Sequence, residues 1–202
     1  PGTEQYDQLA GICNSYYKET GGKLPYINLL PMYANAAQLK YGASAAAIEY
    51  YDSDPDLFKK YCDAFCEKFD PPYICTDIYP LNWVEGKRAT YKDYCESINL
   101  IAASAREHDK DFWCCIQTFA WVPSKRTPTE AEFRWQSYCM LSFGCKGLLC
   151  WTYAGDEPEC PSLITVDGKR TNAWYDAATV FTEIRQVSDA FVQDKKIGAF
   201  AH

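Results

Sequence analysis

Residues 129–153 read TEAEFRWQSYCMLSFGCKGLLCWTY, and this stretch decides the fold. Thr129 and Glu132 have the spacing of a capping box, which predicts that a helix begins here. Gly144 ends that helix, as glycine often does. Residues 146–153 are nearly all apolar, as expected of a buried strand. A helix followed directly by a buried strand is typical of an α/β protein with a parallel sheet.

The same alternation extends through the rest of the chain. Apolar runs predict strands at four places, over about 24–30, 73–79, 111–119 and 146–153. Helical periodicity predicts helices around them, over about 3–20, 54–70, 90–108, 129–143 and 172–192. The segment 32–52 is expected to be a long loop. We therefore predict a single domain over 1–202, with four consecutive βα units forming a parallel sheet flanked by helices.

Charge and hydropathy exclude two classes of partner. The 202 residues include 20 Lys and Arg and 27 Asp and Glu, which gives a net charge of −7. No basic cluster offers a surface for nucleic acid. The apolar runs are far shorter than the roughly 20 residues that a membrane span needs. The first residues show no signal peptide. From the charge and the hydropathy together, neither nucleic acid nor a membrane is expected as a partner.

The eleven cysteines could indicate disulfides or a metal site. The sequence has no Cys-x-x-Cys pair and only two histidines, His108 and His202, which disfavours structural zinc. Most cysteines lie in apolar periodic segments, so we interpret them as buried, reduced thiols of a reducing, cytoplasm-like compartment. Glycine-rich nucleotide motifs are absent, and we predict no cofactor and no metal. A metal- or thiol-dependent protein remains an alternative.

Aromatic and hydrogen-bonding residues follow each predicted strand. In parallel α/β folds, ligands bind at the carboxyl ends of the strands. Rings that cover C–H surfaces, together with amides that bind hydroxyls, suit a carbohydrate. The predicted sugar-binding residues are Asn28, Tyr79, Trp83, Gln117, Trp121, Arg126, Trp151 and Tyr153. The alternative for each aromatic residue is simple packing.

Asp77 is the candidate catalytic residue. It interrupts an otherwise apolar strand, and a carboxylate there must be paired, protonated or exposed in a cleft. The structural alternative is that Asp77 binds backbone groups, Arg126 or Arg134 and only holds the site together. Gln117 has a matching place on the next predicted strand, but an amide serves neither as nucleophile nor as base.

Two motifs carry a resemblance to a known family. The strand 73–80, which ends Asp-Ile-Tyr-Pro, is similar to a strand of (β/α)8-barrel glycoside hydrolases of the clan-A, β-galactosidase-like type. The run from Arg126 to Tyr153 resembles the helix before the last strand, the glycine-rich turn and the last strand of such barrels. The resemblance covers nearly the whole chain and implies a TIM-barrel-type fold, of which this chain is the second half.

The resemblance implies hydrolysis of glycosidic bonds by two carboxylates, without a cofactor. The family's acid/base is then expected upstream of Pro1. Gln117 stands where the family offers its nucleophilic glutamate, so Asp77 is the remaining carboxylate in this chain. The missing glutamate motivates an alternative, a carbohydrate-binding protein without hydrolytic activity.

Four strands cannot close an eight-stranded barrel. A half-barrel alone exposes sheet edges and an apolar inner face. We therefore expect either a missing N-terminal half-barrel or self-association of two copies as the partner that closes the barrel.

Overall fold

The structure is a computed structural model that describes residues 1–120, 122–155 and 162–193. Its residues form two compact units. Unit 1 comprises Pro1–Asp77 and Glu96–Trp113, and unit 2 comprises Ile78–Cys95 and Cys114–His202. The prediction of a single domain over 1–202 stays a prediction.

Helices and strands alternate along much of the chain. The α-helices of the described residues are α1 (Tyr6–Glu19), α2 (Ala36–Tyr41), α3 (Leu57–Lys68), α4 (Tyr94–Glu107), α5 (Glu130–Ser142) and α6 (Asn172–Gln193). The strands are β1 (Tyr73–Asp77), β2 (Leu81–Val84), β3 (Lys87–Thr90), β4 (Asp111–Gln117) and β5 (Cys145–Trp151). Short 3-10 helices cover Thr3–Gln5 and Ala43–Ala47.

The predicted α/β class is confirmed. Strands β1, β4 and β5 form a three-stranded parallel sheet in the order β1-β4-β5, flanked by helices. These strands match the predictions over 73–79, 111–119 and 146–153, and each ends about two residues earlier. Within the described residues the sheet does not close into a barrel.

The strand predicted over 24–30 is wrong. Its residues form only one parallel bridge, between Leu29 and Thr76 of β1. The reason is that tyrosine hydroxyls bind the backbone groups that a strand ladder would use. Tyr73 donates to the carbonyl of Pro25 and accepts from the Ile27 N–H at 3.0 Å. Pro25 itself has no N–H to offer to a ladder.

The core of unit 1 is aromatic. Tyr6 of α1 is fully buried and lies edge-on to Phe65 and Phe69, with ring centroids 5.8 and 5.7 Å apart. Its hydroxyl donates to the carbonyl of Tyr61 at 3.3 Å. Edge-to-face rings with a satisfied hydroxyl are a favourable way to bury tyrosine. This cluster joins α1 to α3, which also contacts β1.

Unit 2 is organised by α5, which contacts both β5 and α6. The predicted capping box is confirmed, because Thr129 Oγ1 accepts from the Glu132 N–H and Glu132 accepts from the Thr129 N–H at 3.0 Å. Arg134 of α5 forms two hydrogen bonds to Glu183 of α6, at 2.9 and 2.7 Å. The start of α5 and its contact with α6 are therefore both fixed by polar side chains.

A hairpin and a short helix were not predicted. Strands β2 and β3 form an antiparallel hairpin, which turns at Glu85 and Gly86, both with positive φ. Glycine at such a turn is a hairpin signal. The segment 32–52, expected to be a loop, contains α2, whose Asn35 and Gln38 form a capping box.

Candidate functional sites at the strand ends

The carboxyl end of β1 carries Asp77 in a polar cluster of unit 1. Asp77 is half-buried, whereas the four residues before it in β1 are buried. Asn28 Nδ2 donates a hydrogen bond of 2.5 Å to Asp77 Oδ1. Cys75 Sγ lies 3.6 Å from Asn28 Oδ1, as a donor to it. The predicted residues Asp77 and Asn28 are thus brought into direct contact.

The position of Asn28 is fixed by its neighbours in the chain. The Leu29 N–H donates to the carbonyl of Cys75 at 2.7 Å, and Thr76 Oγ1 donates to the carbonyl of Leu29 at 3.1 Å. Tyr61 Oη accepts from the Leu30 N–H at 3.0 Å. These bonds hold the segment against β1 without a regular strand, so the Asn28 amide is directed by a rigid backbone.

The charge of Asp77 also acts on the buried phenol of Tyr61. Burial raises the pKa of the Tyr61 phenol, and the negative charge of Asp77 adds to the rise. Tyr61 in turn donates to the carbonyl of Pro1 at 2.7 Å. The end of β1 therefore combines a half-buried carboxylate and the Asn28 amide with a buried phenol.

The carboxyl end of β4 carries Gln117, and its surroundings in unit 2 are different. Its side chain is fully buried. Gln117 Oε1 accepts from the Leu81 N–H at 2.9 Å, and Nε2 donates to the carbonyls of Leu81 and Arg126 at 3.0 and 2.8 Å. The amide therefore connects the first residue of β2 to the loop that follows β4, and both its oxygen and its nitrogen are hydrogen-bonded to backbone.

The backbone of Gln117 is held by a second buried amide. Gln136 of α5 accepts from the Gln117 N–H at 3.1 Å and donates to the Gln117 carbonyl at 3.3 Å. Gln136 is also fully buried. The Gln136 side chain thereby satisfies both the N–H and the carbonyl of Gln117, which ties α5 to the end of β4.

Two further predicted sugar-binding residues, Tyr79 and Trp83, follow β1 along the chain. Tyr79 is buried, and its carbonyl accepts from Lys125 Nζ at 2.6 Å. Trp83 lies on β2 with 41% of its surface exposed, and its N–H donates to the carbonyl of Ser124 at 2.7 Å. Trp121 lies outside the described residues. Of the two described rings, Trp83 has the larger accessible face.

Arg126 is buried and paired with an acid that was not among the predicted site residues. Its Nη1 lies 2.6 Å from Glu132 Oε1. Burial opposes the ionisation of Glu132, but the hydrogen bonds from Arg126 and Thr129, together with the positive charge of Arg126, outweigh it and lower the pKa of that carboxyl. Among the described residues, Arg126 Nε has no hydrogen-bond acceptor. The sequence identified Glu132 only as a capping residue of α5, and its pairing with Arg126 was not predicted.

The carboxyl end of β5 exposes two aromatic rings of unit 2. Trp151 is 47% exposed, and Tyr153 is 58% exposed. The Trp151 carbonyl accepts from the N–H and the hydroxyl of Thr118, at 3.1 and 2.6 Å, and the Trp151–Thr152 peptide bond is cis. The Ile164 N–H donates to the carbonyl of Tyr153 at 3.0 Å. Hydrogen bonds thus hold the backbone at the end of β5, and about half of the surface of each ring is exposed to solvent.

The described residues form neither a metal site nor a membrane span. Within 1–120, 122–155 and 162–193, no cluster of three or more His, Cys, Asp or Glu side chains is placed to hold a metal ion. No helix in the described part of the chain has the length and apolar character of a membrane span.

Comparison with known proteins gives no relative. The sequence matches none of the models of known protein families. A search of curated proteins also finds no significant match.

Proposed function

We propose that this protein is a glycoside hydrolase in which Asp77 is the active-site carboxylate of this chain. The observation that carries the proposal is the contact between Asp77 and Asn28 at the carboxyl end of β1. Half-burying a carboxylate at the end of a parallel strand costs free energy unless a partner or a ligand binds it. Ligands of parallel α/β folds bind at these strand ends.

A sugar is the substrate class that fits the groups present. The Asp77 carboxylate accepts hydrogen bonds from hydroxyls, and an amide such as Asn28 both donates and accepts. In unit 2, the exposed rings of Trp83, Trp151 and Tyr153 offer flat apolar faces of the kind that cover the C–H side of a sugar. Charged or nucleotide substrates have no comparable set of groups in the sequence.

The fold proposed for the enzyme is the second half of a (β/α)8 barrel, completed by an N-terminal half-barrel or by a second copy. Hydrolysis of a glycosidic bond by a carboxylate pair requires a second acid. The proposal places that acid/base before Pro1, as the family resemblance implies.

Gln117 has a positioning role in this proposal. Its side-chain polar atoms are hydrogen-bonded to Leu81 and Arg126, so it holds the start of β2 against the loop after β4. Arg126 likewise is bound to Glu132. In unit 1, direct contacts with sugar are assigned to Asp77 and Asn28. In unit 2, the exposed rings are treated as a sugar-binding surface of their own.

A second candidate function is carbohydrate binding without hydrolysis. It is favoured by the amide at the end of β4, because Gln117 cannot act as the nucleophile that the resemblance expects there. Binding needs only the hydrogen-bonding groups and the rings.

The two functions separate in one experiment. Wild-type protein is applied to an array of oligosaccharides, and the bound sugars are then incubated with it while released reducing ends are measured. The Asp77→Asn variant is expected to lose hydrolysis at least a hundredfold. Asp56→Asn is the matched control, because Asp56 is an exposed aspartate of the same unit. Binding without release identifies the second candidate, and unchanged hydrolysis by Asp77→Asn contradicts the role of Asp77.

A further inference from the structure

Two cysteines of unit 2 lie close enough to react with each other. Cys95, the second residue of α4, and Cys139 of α5 have their sulfur atoms 3.9 Å apart. All ten described cysteines are free thiols, and seven are buried. Cys95 is the exposed one, and Cys139 is partly exposed. This pair therefore differs from the others in both proximity and access to solvent.

Neighbouring aromatic residues hold the two thiols in register. Tyr94 precedes Cys95, and Trp135 precedes Cys139 by one helical turn. Their rings lie 4.8 Å apart, and Tyr94 is only 2% exposed. The ring contact and the sulfur contact are adjacent, and both join α4 to α5. The packing of the rings therefore keeps the two thiols near each other.

We propose that Cys95 and Cys139 are a modification site at which the two thiols form a disulfide on reaction with a small disulfide such as glutathione disulfide. The sulfur atoms, now 3.9 Å apart, must approach to about 2 Å for the bond. The proposal is independent of the sugar site.

The reaction proceeds in two balanced exchanges. The Cys95 thiolate attacks one sulfur of glutathione disulfide, forms a mixed disulfide and expels one glutathione thiolate. Cys139 then loses its proton to solvent and attacks the Cys95 sulfur, which expels the second glutathione thiolate. The two cysteines are oxidised together by two electrons, and one glutathione disulfide is reduced to two glutathione molecules.

The environments of the two thiols set the order of attack. Cys95 is exposed and meets the oxidant first. Burial is the main cause that raises the pKa of the Cys139 thiol, and the neighbouring Cys95 adds to it. In the mixed disulfide the burial of Cys139 remains, so the closing step depends on a small thiolate fraction, which rises with pH. The mixed disulfide is expected to accumulate at neutral pH and to close faster at alkaline pH.

A disulfide between Cys95 and Cys139 would close a loop of the chain that contains buried polar residues of unit 2. The two cysteines are 44 residues apart in sequence. The segment between them contains Gln117 and Arg126. A disulfide across a loop of this size limits the unfolded chain, so the oxidised protein should unfold at a higher urea concentration.

Peptide mapping after titration with glutathione disulfide tests the proposal. The native protein is oxidised, the remaining thiols are alkylated, and tryptic peptides are identified by mass. The expected product joins peptide 93–106 to peptide 135–146, with fragmentation placing the bond at Cys139 rather than Cys145. Cys150→Ser is the matched control, and it should form the same product.

The variants separate the two steps. Cys139→Ser should stop at the mixed disulfide on Cys95, and Cys95→Ser should form neither product. Wild-type mapping keeps the test valid if a variant fails to fold. The proposal is overturned if wild-type protein retains stable glutathione on Cys95 at alkaline pH, or if the oxidised protein links other cysteines.

Discussion

The last residues of β1 and β4 hold the same place in two parallel strands but have opposite surroundings. Asp77 is half-buried and accepts a short hydrogen bond from the Asn28 side chain. Gln117 is fully buried, and its amide is bonded to the backbone of Leu81 and Arg126. A strand-end polar residue is thus a candidate for ligand contact in unit 1 and a structural connector in unit 2.

The difference shows that position alone does not define a site. A buried amide can satisfy every polar atom with neutral backbone groups, which makes it an effective connector. A carboxylate offers only acceptors when ionised and costs more to bury, so it remains near solvent. The residue type therefore decides which strand end stays open, and four expectations follow from this contrast.

The largest effect is expected from Gln117→Ala. The substitution removes the partner of the Leu81 N–H and of the Arg126 carbonyl and one of the two donors to the Leu81 carbonyl, and each unsatisfied buried group costs about 1–3 kcal/mol. Urea denaturation should show a loss of about 4 kcal/mol in the free energy of unfolding. Gln186→Ala, on the exposed side of α6, is the control with almost no loss. A loss below about 1 kcal/mol for Gln117→Ala would remove the structural role.

Asp77→Asn should give the reverse pattern. We expect a fall of about a hundredfold or more in kcat/KM for glycoside hydrolysis, equal to about 2.7 kcal/mol. The free energy of unfolding should change by less than about 1 kcal/mol, because the side chain is only half-buried. Steady-state kinetics and urea denaturation are measured on the same sample. A large loss of stability with intact kinetics would make Asp77 a structural residue.

Glu132→Gln should change the pH dependence of stability. The folded-state pKa of Glu132 is lowered, so its contribution is present above the unfolded value of about 4.3 and is lost as the pH falls below it. A glutamine preserves the capping box and removes only the charge beside Arg126. The variant should be about 2 kcal/mol less stable at pH 7 and close to wild type at pH 3. An equal deficit at both pH values would exclude the ion pair as the cause.

The smallest effect is expected from Trp151→Ala. Removing this ring should weaken sugar binding by about 1 kcal/mol, or about fivefold in Kd, with little change in stability because Trp151 is 47% exposed. Calorimetric titration with the best-bound oligosaccharide gives the value. Tyr51→Ala is the control, because Tyr51 is an 87% exposed aromatic residue far from any predicted site residue in sequence. Equal affinity for both variants would assign the Trp151 ring no part in binding.

Much of the fold could be predicted because local signals and burial agree. The strands β1, β4 and β5 are short apolar runs, and α5 begins at a capping box that the side chains form. The hairpin of β2 and β3 was missed although Glu85-Gly86 marks its turn. Its strands are largely exposed, so no apolar run identified them.

The remaining features depend on contacts distant in sequence. The segment 24–30 has the composition of a buried strand, but the hydroxyls of Tyr61 and Tyr73 bind its backbone instead of a neighbouring ladder. Likewise, nothing in the sequence near Gln117 shows that Leu81 and Arg126 bind its amide. Candidate residues could therefore be placed at strand ends, whereas their roles required the partners to be seen.

The central claim is that the end of β1 is the functional strand end. It is tested most directly by measuring oligosaccharide binding and hydrolysis for wild type, Asp77→Asn and Asn28→Ala on one glycan panel. The account predicts that wild type binds at least one glycan and that both variants lose it while remaining folded. Undiminished binding and hydrolysis in both variants would contradict the account.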